Sequence, residues 1–88
     1  MTREEQIEAL ISVALNNDWT FQSYSGRFMY GANCPAIVGR DPNRIIEKAT
    51  KVGVNHSRTD NMGLDYVVYW PEITLLAGED QIDGEDDE

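Results

Sequence analysis

Cysteine and histidine each occur once, as Cys34 and His56, in a chain of 88 residues. A lone thiol excludes an internal disulfide and a four-cysteine zinc site. A nucleophile–base pair of Cys34 and His56 would need hydrogen-bond reach and a third group to orient the base. Their spacing neither supports nor forbids that pair, and the plain expectation is a small buried thiol and a loop imidazole. No carboxylate pair stands at helical ligand spacing from His56. No apolar run approaches the 18–20 residues of a membrane span. Gly26, Gly31 and Gly39 do not make a G-x-G-x-x-G or P-loop spacing. Asn55-His56-Ser57 matches a glycosylation sequon, but no basic-then-apolar leader opens the residues given. An enzyme is therefore not expected, and neither is a cofactor or a metal.

Positive charge is also scarce, with seven Lys and Arg against sixteen Asp and Glu and a formal charge of −9. From Glu79 to Glu88 the chain reads EDQIDGEDDE, with seven acidic positions and no basic one. Subtracting that block leaves the remainder nearly balanced. Like charges in a row repel and bury little, so residues 79–88 are expected to be a disordered acidic tail after a single domain over 1–78. The tail serves solubility, or it meets a basic partner or mimics nucleic-acid phosphates. Every basic residue but Arg3 lies between Arg27 and Arg58. Arg44, Lys48 and Lys51 are spaced four and three apart, which lines them on one helix face with Arg40 just ahead. Docking of the acidic tail on that stripe is a further expectation.

What is present patterns clearly. Thr2 and Glu5 fit a capping box, and Ile7, Leu10, Ile11, Ala14 and Leu15 form a helical stripe over residues 2–17. Asn16-Asn17-Asp18 supplies the stop. Trp19–Tyr24 reads as a strand, and Ala36-Ile37-Val38 as the paired part of a second one, in a hairpin. Asp41-Pro42 starts a second helix with Ile45, Ile46, Ala49 and Val52 inward and Gly53 at its end. Residues 54–63 read as a loop. Tyr66–Trp70 is apolar on both alternating faces, as in a central strand, and Pro71 ends it. Ile73–Leu76 extends it past a bend or covers an edge. The order helix-strand-strand-helix-strand predicts an α+β fold of two layers, a three-stranded antiparallel sheet with both helices on one face. The other face is then expected to carry several uncovered aromatics.

The most unusual stretch is Ser23–Gly31, with Tyr24, Arg27, Phe28, Met29 and Tyr30. Tyr and Arg are enriched in binding hot spots, and aromatics beside Arg also suit stacking on unpaired bases. Arg27 beside Ser23, Ser25 and Gly26 is suited to one anion at a turn, or simply to solvent. The candidate binding residues are Tyr24, Arg27, Phe28 and Tyr30 with the basic set Arg40, Arg44, Lys48 and Lys51.

The strings SYSGRFMYGANC at Ser23–Cys34 and DNMGLDYVVYWP at Asp60–Pro71 resemble small proteins of unknown function encoded by bacteriophages and prophages. The resemblance covers roughly residues 19–71 and carries over no catalytic residue. It implies a cytoplasmic accessory protein of a bacterial host, acting by binding a host or defence-system protein. Its targets would be host enzymes, restriction and CRISPR machinery among them, and the uncovered sheet face separately invites a second copy, as a homodimer. The second expectation is a nucleic-acid-binding module using Trp19 or Tyr24 for stacking and the basic helix face for phosphates, although the overall acidity opposes it.

Overall fold

The computed structural model describes residues 1–25 and 33–75. Helix α1 spans Arg3–Asn16. Thr2 Oγ1 accepts from the Glu5 N–H at 3.1 Å while Glu5 Oε1 accepts from the Thr2 N–H at 2.8 Å, closing the capping box. That bond from the Thr2 backbone, more than anything else, holds the Glu5 carboxyl below its ordinary 4.5. The helix ends at Asn17, and Asp18 takes a left-handed φ of 59°. The Trp19 N–H then donates back to the Ala14 carbonyl at 2.9 Å, the long bond of a Schellman ending.

Helix α2, Pro42–Lys51, starts on Asp41, whose carboxylate accepts from the Arg44 N–H at 3.2 Å. It ends by the same device. Gly53 has φ 89°, its N–H bonds Thr50, and the Val54 N–H bonds Ala49 at 3.0 Å. A side chain at Gly53 would be strained in this left-handed geometry. The motif turns Val54 into the core, where it is buried against Ala49.

Strands β1 (Thr20–Tyr24), β2 (Cys34–Gly39), β3 (Arg58–Met62) and β4 (Asp65–Tyr69) form one antiparallel sheet in the order β1-β2-β4-β3. The fold is α+β with two helices, but the sheet has four strands rather than three. The additional strand is β3, within the stretch expected to be a loop. It escapes detection because all five of its residues are exposed and carry no apolar alternation. The two-residue connection Gly63-Leu64, with Gly63 at φ 75°, joins it tightly to β4.

The main core lies between helices and sheet. Ile7, Leu10, Val13 and Ala14 of α1 meet Ile45 and Ala49 of α2 over Ile37, Val68 and Trp70, so both helices cover one face. Ile73 and Leu75 join this core beyond the Pro71 bend. Pro35 explains that bend. It accepts from the Trp70 N–H at 3.1 Å but has no N–H to return, and the Trp70 carbonyl takes the Ile73 N–H instead. The chain then comes back to β2, where the Leu75 N–H bonds Asn33 at 2.8 Å. Leu15, expected inside, is 74% exposed, and Val13 takes its place. Val52 is also outside, and Val54 fills the core in its stead.

Candidate binding surface

Strand alternation sorts the side chains into two faces. Phe21, Ile37, Val68 and Trp70 point to the helices, and Trp19 and Phe21 pack there too. The Trp19 indole lies so close to Gly39 that a Cβ there would stand 2.8 Å from its Cδ1. The second face carries Cys34, Ala36, Val67 and Tyr69 as a smaller cluster, with Tyr24 and Val38 packed on it. The expected aromatic-rich open face is thus corrected. Both tryptophans serve the helix side, and among the described residues Tyr24 and Tyr69 bring rings to the second cluster. Tyr69 itself is 6% exposed.

Tyr24 organises this face. Its ring sits 4.7 Å from that of Tyr69, tilted by 40°. Its hydroxyl donates to Asp60 Oδ2 at 2.7 Å. Tyr24 belongs to β1 and Asp60 to β3, the two edges of the sheet. At ordinary strand spacing those edges lie roughly 14 Å apart. A direct contact across them requires a concave face, curled by the right-handed twist that sheets accumulate. The bond to Asp60 and then burial push the Tyr24 hydroxyl up to about 12. Burial likewise raises Tyr69, and it pushes the Cys34 thiol up to about 11. A thiol so raised is protonated at neutral pH, the opposite of an activated nucleophile. His56 sits exposed on the α2–β3 connection with φ 69°, on a different part of the chain from the buried Cys34.

The remaining sequence candidates divide. Arg27, Phe28 and Tyr30 lie outside the described residues, as does the acidic stretch 79–88. Arg44 and Lys51 are exposed on α2 and Lys48 is half-buried, so the basic stripe faces solvent. Lys48 and Lys51 also lie in the last turn, where positive charge complements the helix dipole. Arg40 is separate from them in its contacts, its Nε lying 3.7 Å from the Asp65 carboxylate. The structure brings Tyr24 together with Asp60 and Tyr69, neither of which the sequence singled out. Asp60 was unreadable because its strand was. Tyr69 was placed in a strand but not on a face. Exposed apolar side chains on the neighbouring hairpin, Met62 and Leu64, were missed for the same reason as β3. Among the described residues no group of three or more His, Cys, Asp or Glu is placed to hold a metal ion, and no helix is long and apolar enough to cross a membrane. Compared with known protein families, curated proteins and solved structures, the chain matches none of them.

Proposed function

We propose that this chain is a small binding protein that works without covalent chemistry, seating its Tyr24 face and the adjoining segment to Gly31 on another macromolecule. The observation that carries this reading is the Tyr24 side chain, held by Asp60 at its hydroxyl and packed on Tyr69 at its ring. A large amphipathic side chain already fixed in one geometry loses little rotamer freedom on binding. Met62, on the same face as Asp60, and Leu64 at the turn add exposed apolar area beside it. The resemblance to phage-encoded proteins supplies the kind of partner, a restriction or CRISPR enzyme in a bacterial cytoplasm. The acidic residues from Glu79 onward suit steering toward a basic surface on such an enzyme.

The test is titration of the purified protein into restriction-nuclease and CRISPR-effector cleavage assays, with binding to the same enzymes measured in parallel. The wild-type chain is expected to bind and inhibit, and Tyr24→Ala with Arg27→Ala and Tyr30→Ala to lose both. Tyr24→Ala also removes the cover over Cys34, so circular dichroism is read first. The pair Arg27→Ala and Tyr30→Ala serves if the triple variant unfolds. Undiminished binding by folded variants, or no binding by the wild type, removes the reading. The solvent-facing stripe Arg44, Lys48 and Lys51 supports a second reading, contact with nucleic-acid phosphates.

A further inference from the structure

Strand β3 is exposed along its whole length and forms one edge of the sheet. The hydrogen-bond alternation fixes which of its main-chain groups face outward. Trp70 donates to Pro35, so the even-numbered residues of β4 bond towards β2. Asp65, Val67 and Tyr69 therefore bond towards β3, where their partners are Met62, Asp60 and Arg58. The N–H and C=O of Thr59 and Asn61 are left pointing to the outer edge of the sheet, where no described strand pairs with them, and Ser57 continues the same alternation.

We infer that this edge pairs with the same edge of a second copy of the chain, antiparallel, with the two-fold axis at Thr59. Arg58 of each copy then stands opposite Asp60 of the other, and Asn61 opposite Ser57. The alternatives that the alternation and a two-fold axis allow are few. An axis at Arg58 opposes two arginines, and an axis at Asp60 opposes two aspartates, both destabilising in a cross-strand pair. An axis at Asn61 leaves the strands barely overlapping. Only the axis at Thr59 opposes unlike charges, and it does so twice. It also makes Thr59 with Thr59, and Asn61 with Ser57, the hydrogen-bonded pairs, as the outward groups require. Charges on an edge strand usually keep other strands away. Here their alternating sign selects one register instead. Asp60 can serve both contacts, because Oδ2 holds the Tyr24 hydroxyl and Oδ1 remains for Arg58 of the other copy. The opposite edge, β1, carries no charged side chain to set a register.

An edge contact of five residues is small, at the low end of specific interfaces, so the dimer is expected in the high-micromolar range. The formal charge of −9 repels a second copy, and the measurement is made at about 0.15 M salt, where that repulsion is screened beyond about 8 Å. Sedimentation equilibrium of the purified full chain, over a concentration series to about 1 mM, reads the dimer directly and involves no other partner. Arg58→Asp and Asp60→Arg are each expected to weaken it by about tenfold, and the double charge swap to restore it. Restoration is specific to this register, because with an axis at Asp60 the swap would still oppose two arginines. Thr59→Pro removes an outward N–H and no β3–β4 bond, and is expected to abolish the dimer. It also keeps the test open if Asp60→Arg unfolds on losing Tyr24. A wild-type chain that stays monomeric throughout, single reversals without effect, or a folded double swap that stays monomeric would each overturn the inference.

Discussion

Tyr24 and Cys34 show how single side chains depend on a face they do not define alone. Cys34 is sealed beneath the Tyr24–Tyr69 pair, and Tyr24 is held in place by a carboxylate from the far edge. Both groups keep a proton in the folded state that the unfolded chain gives up earlier, near 10.0 for Tyr24 and 9.0 for Cys34. Their stabilising contribution is complete below about pH 9. It is lost as the unfolded chain ionises first, over the interval up to the folded values of about 11 and about 12. Urea midpoints measured from pH 8 to 12 should therefore fall with rising pH. Tyr24→Phe should flatten the upper part of that fall by removing the ionisable hydroxyl. An unchanged slope in the variant would show that the Tyr24 hydroxyl does not hold its proton to higher pH in the folded chain than in the unfolded one.

At the scale of elements, both helices are delimited by local chemistry at each end, the caps Thr2 and Asp41 and the left-handed Asp18 and Gly53. Their caps are legible because the donors and acceptors lie within three residues of one another. Their phase is less so. A stripe drawn through Ile7, Leu10, Ile11, Ala14 and Leu15 is rotated by roughly 60° from the true axis, which runs through Leu10 with Ile7, Val13 and Ala14. At 100° per residue, Leu15 sits past the rim when Leu10 is central. The two leucines should then differ sharply. Leu10→Ala should cost about 2–5 kcal/mol in chemical denaturation, and Leu15→Ala within about 0.5 kcal/mol. Similar losses at both sites would mean that α1 is rotated from the position described. The strands divide in the same way. β4 is readable because it is buried on both faces, whereas β3 is polar on both and held only by its ladder to β4.

At the scale of the molecule, the basic stripe of α2 and the Tyr24 face lie on opposite sides of the described sheet. The helices turn the basic stripe of α2 to solvent, opposite the sheet and away from the Tyr24 face, while negative charge gathers in residues 79–88. If the stripe reads phosphates, full-length protein should shift single-stranded DNA weakly at low salt, and a chain lacking residues 79–88 should shift it more strongly. No retardation of either form would end the nucleic-acid reading. By itself the sequence determined the two helices with their caps, the β1–β2 pairing, the buried character of β4 and the uneven charge. Each of these rests on neighbours close along the chain or on a strong periodic pattern. Only the tertiary structure decided that Arg58–Met62 is a strand, that the tryptophans turn to the helices, and that Tyr24 meets Asp60. Those outcomes depend on a partner strand and on sheet curvature, which act between residues as far apart as 24 and 60 and leave no mark on local composition.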